Sequence, residues 1–440
     1  MIDNNTPPIQ ILIIGAGFGG LKLARSLNNK PGFKILLIDK FNYHQFQPLF
    51  YQVATAGLDP SNISFPLRKV FHNSKNVHFR MAEVSSIVTE ENKVITDIGE
   101  FKYDILVIAS GADTNFFGNQ QLIENAFPMK STVEAVQIRH RLIQNFEDAL
   151  NTKDQKELER LMTVVLVGGG PTGVEMSGAI ADLRRFVLPK DYPELDFSLM
   201  KIYLLEGSPK TLGTMSEKSS HDSRNYLEKL GVIVMTHTVV KGYDGKTVTM
   251  QNGETIESGM VIWAAGVKGN IPDGINTDLI IKGNRIKVDR YNKVQGIPNV
   301  YAIGDVAYME TEKYPHGHPQ VASVAIQQGA TLASNLKMLQ SAGTLKQFEY
   351  YDKGTMATVG RNLAVVDLPK PKLHFKGFFA WLIWMGLHLV LILGVKNRFS
   401  VFSNWIYNYI TYDQNLRLIF KEFYRPKKEE NSPQSTVHGP

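Results

Sequence analysis

Two glycine-rich segments carry the clearest chemical signal in this 440-residue sequence. The first reads ILIIGAGFGG, in which Gly15, Gly17 and Gly20 form GxGxxG between an apolar run and a helix-compatible stretch. In such a loop the first glycine permits a tight turn and the second lets a pyrophosphate approach the backbone. The third lets helix pack on strand, and the helix N-terminus faces the anion. An acidic residue about 20 positions on should accept the ribose hydroxyls, and Asp39, ending KILLID, stands there. The second segment reads VVLVGGGPTGVE, with Gly168, Gly170 and Gly173 at the same spacing. Its acid is Glu206, ending IYLLE, delayed by an insertion over 187–198. No arginine follows Glu206 within three residues, and its carboxylate should repel a 2′-phosphate, which predicts NADH rather than NADPH. Two loops imply two dinucleotides. The economical pair is FAD, held permanently, and NADH, passing through, with hydride moving between them.

The elements needed to position these loops are visible as apolar runs alternating with helical patterns, an α/β signature. Strands are predicted at 11–14, 34–39, 105–109, 163–167, 202–206, 260–264 and 300–303, and a helix-compatible stretch at 131–161. After 345 the character changes. A β-like part at 355–368 and a Pro-Lys hinge, Pro369-Lys370-Pro371-Lys372, precede a strongly apolar region.

Composition narrows the chemistry. The chain has no cysteine, which removes disulfide scaffolds, thiolate metal sites and every redox route through a reactive thiol. The net charge is +6, and seven basic residues fall between Lys396 and Lys428 against Asp413 and Glu422 alone. A basic, aromatic C-terminal segment on a nearly neutral body suggests an anionic membrane surface rather than nucleic acid. The first ten residues lack a positive n-region and the run that follows is too short for a signal-peptide core, so the N-terminus reads as the first strand of a cytoplasmic protein. His316 and His318 in KYPHGHP tempt a metal reading, but no third or fourth ligand stands at useful spacing. No metal is expected, and the loop reads as exposed or at a channel edge. His388 reads as a satisfied helix histidine.

With the two loops, several segments resemble the type II NADH dehydrogenases, single-subunit NADH:quinone oxidoreductases of the two-dinucleotide-binding flavoproteins. They are FQPLFYQVATAGLDPSNISFPLR, YDILVIASGADTNFFG, VIWAAGVKGN, NVYAIGDVA, VASVAIQQG and the tail FAWLIWMGLHLVLILGVKNRFSVFSNWIYNYIT. The resemblance implies two Rossmann-like domains, the FAD domain split by an inserted NADH domain, plus a C-terminal membrane-anchoring and quinone-access region. The expected parse is 1–117 and 289–345 for FAD, 118–288 for NADH and 346–440 for the anchor. It further implies FAD contacts from Ala109, Gly111 and Asp305, the last at the flavin ribitol, an NADH-domain turn at Gly266, and electron transfer to a membrane quinone without proton pumping. It places the chain at the cytoplasmic face of a bacterial inner membrane, as a homodimer formed through the tail. Where the family often reads AQxAxQ, Ser323 replaces the first Gln, with Gln320 three residues earlier. The missing cysteines separate the chain from sulfide:quinone oxidoreductases and disulfide reductases of similar fold.

Three side-chain groups remain open between two roles each. Glu175, in the first turns after the second loop, either positions NADH or handles protons, or is a helix-start acid favoured by the macrodipole. Gln327 and Gln328 contact a flavin carbonyl or quinone, or are helix-surface amides. Lys376 meets a quinone carbonyl or a lipid phosphate. The uncharged run 377–395 has the length of a membrane span. The preferred reading is a pair of helices lying in the membrane surface, ahead of a true span and of a core or dimer helix. Trp381, Trp384, Trp405 and Tyr407 suit the interface, and Lys396 and Arg398 lipid phosphates. On that reading, removal of the tail before Gly377 leaves a soluble flavoprotein. Two other functions compete: a soluble NADH-dependent reductase of a protein acceptor, and an NADH-sensing regulatory flavoprotein.

Overall fold

Parallel strands covered on both faces need near-continuous apolar sequence, and the seven predicted strands have it. In the computed structural model, which describes residues 7–420, these seven and three further strands not predicted from the sequence, Val77–Met81, Phe127–Pro128 and Ile233–Met235, form two five-stranded parallel sheets. The first orders its strands Val300–Ala302, Ile105–Ile108, Ile9–Ile14, Phe33–Asp39, Val77–Met81. The second orders Phe127–Pro128, Met260–Trp263, Thr163–Val167, Lys201–Leu205, Ile233–Met235. Each has its glycine loop at the C-terminal end of the central strand, where ligands of open α/β sheets bind. Each also carries a three-stranded antiparallel meander, Val84–Lys102 and Val240–Glu257. The duplication suggested by the two loops therefore extends to whole domains.

The chain crosses between domains through Ala112–Thr114 and Val267–Gly269, which pair antiparallel. The return comes earlier than the expected boundary at 288. Ile275, Ile286 and Val288 pack with Leu12 and Ile14 in the first domain's core, so residues 271–288 belong there by burial. The helical stretch at 131–161 is two helices, Thr132–Asn151 and Gln155–Leu161, the first opened by a Ser131–Glu134 capping box.

Thr355–Gly360, Leu363–Pro369 and Lys372–Lys376 form an antiparallel sheet. The Pro-Lys segment is thus the turn of a hairpin and not a hinge. This sheet docks on helix Pro171–Phe186 so closely that a Cβ at Gly178 would lie 1.7 Å from the Val359 carbonyl oxygen. Helices Gly377–Leu391 and Val395–Thr411 follow. The first has 15 residues and rises only about 22 Å, short of the roughly 30 Å hydrocarbon core. Gly394, at φ +82°, breaks the apolar run. Among the described residues no helix is long and apolar enough to cross a membrane.

Candidate functional site

The two loops share one geometry. Gly15 (φ +98°) and Gly168 (φ +108°) sit where a Cβ would collide with Ala109 and Ala264 backbone, at 2.3 and 2.6 Å. At Gly20 and Gly173 a Cβ would lie 1.9 Å from the Gly15 and Gly168 carbonyl oxygens. Gly17 and Gly170, by contrast, would carry a Cβ into space with no protein atom within 4 Å. They start the helices Phe18–Leu27 and Pro171–Phe186, so each cradle is empty backbone at a helix N-terminus. The strand-end acids are bound alike. Asp39 accepts from Ala16 N–H at 2.7 Å and Phe41 N–H at 2.8 Å. Glu206 accepts from Gly169 N–H and, at 2.7 Å, from Ser208 N–H. Burial raises the Asp39 pKa, against those two N–H groups and Lys40. Gly111 and Gly266 follow Ala109 and Ala264 at equivalent turns, both with positive φ.

Asp305 closes the first cradle. Its carboxylate accepts no hydrogen bond among the described residues, burial raises its pKa, and Lys130 and Arg285 oppose that rise. A half-buried carboxylate left unpaired suits a polyol hydroxyl donor. The open pyrophosphate cradle, the ribose acid and this free carboxylate fit FAD in the first domain, as the Gly170 cradle with Glu206 fits NADH in the second. Because Glu206 stands at the ribose edge, kcat/KM for NADH should exceed that for NADPH at least about 100-fold, like charges in contact costing several kcal/mol. Steady-state rates with the two nucleotides test this, and parity would contradict it.

Other expected residues are engaged elsewhere. The Gln328 side chain is buried and accepts from Gly304 N–H at 2.7 Å, so it shapes the Asp305 loop. Gln327 donates to Tyr351 C=O and accepts from Tyr351 N–H, both at 2.9 Å, which spends its amide on backbone. Ser323 bonds Tyr350 Oη at 2.8 Å, and Gln320 donates to Asp305 C=O. Lys376 pairs with Asp222 at 3.0 Å and is not among the residues lining the cavity around Glu175. His318 is buried rather than loop-exposed. It packs among Tyr314, Phe348 and Tyr350, and burial holds its pKa near about 4, helped by Arg285 and Arg290. No cluster of metal-ligating side chains exists among the described residues. His388 is buried, with Nδ1 2.8 Å from Trp384 C=O, and its pKa is lowered by burial to about 4.

Glu175 lies in a cavity the sequence does not announce. The C-terminal sheet, the two tail helices, helix Phe50–Ala54 and helix Pro171–Phe186 line a cavity of about 150 Å³ that opens to solvent. Glu175 is buried in it, accepts from Thr358 N–H at 3.3 Å and lies beside the Trp384 indole. Burial lifts the Glu175 pKa to about 8. Trp384 stacks on His388 at 4.0 Å between centroids, His388 meets Phe46 at 6.1 Å, and Phe46 meets Phe18 of the first loop at 6.0 Å. An aromatic chain thus joins the flavin cradle to the cavity.

The tail divides its residues between this cavity and the outside. Ala380, Trp384, His388, Val401 and Trp405 are buried, so two tryptophans expected at an interface are core instead. Arg398 donates through Nε to Ile392 C=O at 2.8 Å and so joins the two helices, while the residue remains exposed. The basic residues from Lys421 on lie outside the described residues. Phe379, Val395, Phe399 and Ile410 are 70–80% exposed, far beyond scattered surface apolars and more typical of an interaction surface.

Comparison with known proteins agrees with this layout. The family model for pyridine nucleotide-disulphide oxidoreductases matches residues 9–329, and that for the NDH2 C-terminal domain matches 352–411. The type II NADH:quinone oxidoreductase Ndh of Mycobacterium tuberculosis is 34% identical over 421 residues, covering 91% of this chain and 88% of that one. A type II NADH:quinone oxidoreductase of Staphylococcus aureus is 28% identical, covering 80% and 87%. The structure of NDH2 from Plasmodium falciparum in complex with NADH superposes with a TM-score of 0.84 at 22% identity, covering 94% of this chain and 100% of that one. Sulfide:quinone oxidoreductase of Aquifex aeolicus shares the fold at a TM-score of 0.70 and 18% identity.

Proposed function

This chain belongs to the type II NADH:quinone oxidoreductases, and we propose that its quinone is reduced in the cavity between helix Pro171–Phe186 and the tail. The enzyme uses FAD and NADH and passes two electrons from NADH to quinone without pumping protons. When bound, FAD supplies the two-electron carrier between a nucleotide and a quinone that need not meet. Gly15, Gly17, Gly20, Ala109, Gly111, Asp39 and Asp305 hold it. Gly168, Gly170, Gly173, Glu206 and Gly266 hold NADH. Phe18, Phe46 and Trp384 pack the space between cradle and cavity and exclude water from it.

The single observation that carries the quinone reading is a buried carboxyl, Glu175, in an aromatic-walled cavity lined by Trp381, Trp384 and Trp405 of the same tail helices that expose Phe379, Val395 and Phe399 to the outside. Glu175 keeps its proton near neutral pH and holds it at a carboxyl oxygen facing that space, where a quinone oxygen needs one. This favours proton handling over NADH positioning.

The exposed tail face supports peripheral attachment to a membrane; the cytoplasmic side of a bacterial inner membrane and a homodimer formed through the tail complete the proposal on the family resemblance alone. Truncation before Gly377 is a poor test, because it would strip Trp384 and Trp405 from the core. The combined exposed substitutions Phe379→Glu, Val395→Glu and Phe399→Glu are better. Each removed apolar side chain is worth roughly 1.5–3 kcal/mol of partitioning. The variant should leave vesicle pellets and lose at least about 10-fold of its turnover with a vesicle-embedded quinone. Its NADH oxidation with a water-soluble acceptor should stay unchanged. Retention on vesicles would contradict the surface reading.

A further inference from the structure

Asp182 follows Glu175 by seven residues on helix Pro171–Phe186, so both project from one face, and both line the same cavity. Asp182 accepts one hydrogen bond, from Arg361 N–H at 2.9 Å, through a single oxygen. Its other oxygen has no donor among the described residues, and no ion pair holds it. The Arg361 guanidinium turns away from it. It lies over the Tyr409 and Tyr412 rings at 4.0 and 3.7 Å and donates to the Asn408 and Tyr409 carbonyls at the end of the tail. A half-buried carboxyl left this free is difficult to explain as structural glue.

Tyr51 stands in the same cavity with its proton directed by a chain of fixed polarity. Trp405 Nε1–H donates to Gln52 Oε1 at 2.7 Å, which forces Gln52 Nε2 to donate to Tyr51 Oη, also at 2.7 Å. The Tyr51 hydroxyl therefore accepts from Gln52 and must send its own proton elsewhere. It has no acceptor among the described residues, while Glu175 and Asp182 are the carboxylates whose charge reaches it.

We propose that Asp182 is the proton inlet for quinone reduction, passing protons from bulk water through cavity water and the Tyr51 hydroxyl to Glu175. The inference rests on the reading that this cavity receives the quinone. Overall, NADH, one proton and quinone give NAD+ and quinol. The relay moves protons only, and Glu175, having given its proton to a quinone oxygen, is refilled from Asp182. Seven residues of helix span about 10.5 Å, too far for direct transfer, so the hydroxyl and water are required. The groups around Asp182 are Arg185 on its own helix, Arg361 from the C-terminal sheet, Tyr51 and Glu175, and the tail's Tyr409 and Tyr412. Burial raises Asp182 to about 6, against the Arg361 N–H and the Arg361 and Arg185 charges. An outer acid near 6 and an inner one near 8 let the inner site draw a proton inward after each turnover.

The test uses the full-length, FAD-loaded enzyme with a lipophilic quinone. In Asp182→Asn, anaerobic bleaching of the flavin by NADH should stay within about twofold of the parent. Quinone turnover should fall at least about 10-fold above roughly pH 7, a normal loss for a removed proton relay. Asp182→Glu should restore it, and added imidazole should restore it in part. Tyr51→Phe, which removes only the hydroxyl, should show the same split and serves if Asp182→Asn does not fold. A parental pH profile in these variants, or an equal loss of NADH-driven bleaching, overturns the inlet. Failure of the parent enzyme itself to reduce quinone would instead overturn the reading on which the inlet depends.

Discussion

Gly170→Val should leave a folded yellow protein that hardly oxidises NADH. Gly170 has φ −70° and ψ −178°, extended backbone open to any residue, and its Cβ would meet no protein atom within 4 Å. The fold therefore tolerates the substitution. The added methyls occupy the space through which a pyrophosphate approaches the helix N-terminus, so the cost falls on the nucleotide. A loss of about 4 kcal/mol corresponds to roughly 10³-fold in kcat/KM. Gly17→Val, at the equivalent place in the first domain, should give a colourless protein instead. Absorbance of the purified variants and NADH kinetics separate the two. If Gly170→Val lost its flavin and kept NADH affinity, the two loops would have been assigned the wrong way round.

Glu175→Gln should cut quinone-driven turnover on the order of 100-fold with a far smaller effect on reduction by NADH. It should also change stability in a way that depends on pH. The folded-state pKa is raised by burial to about 8 from the model-compound 4.5, so between these values the folded chain holds a proton that the unfolded chain releases. Stability must fall as pH rises through that window. Gln copies the neutral carboxyl in size and cannot ionise. The variant should thus match the parent in thermal stability near pH 4.5 and exceed it near pH 8.5, by up to a few kcal/mol. Unchanged kinetics would remove Glu175 from the mechanism. A parental dependence of stability on pH would mean that the carboxyl is not buried as a neutral acid.

How much of this was legible in the sequence depends on how local each feature is. Glycine spacing and strand-end acids are contiguous signals, and all seven predicted strands are present within one or two residues of their expected bounds. The domain boundary was missed because residues 271–288 carry no motif, and only their burial with Leu12 and Ile14 assigns them. Apolarity in the tail does not distinguish membrane from core. Trp384 and Trp405 belong to the cavity, while Phe379 and Val395 face outward, and no property of the residue types separates the two pairs. Gln327, Gln328 and Lys376 were singled out by position, yet their partners, Tyr351, Gly304 and Asp222, lie 24 to 154 residues away. Asp182 had one readable signal, its seven-residue spacing from Glu175 on a single helix. It gains meaning only once the sheet at Thr355–Gly360 closes over that face.

The most direct test of electron transfer from NADH through FAD to quinone is an anaerobic single turnover. NADH mixed with the purified holoenzyme should bleach the flavin without any acceptor present, and a lipophilic quinone added next should restore the full yellow absorbance as quinol forms in equal amount. Bleaching that no isoprenoid quinone reverses, or quinol formation without a bleached stage, would contradict it.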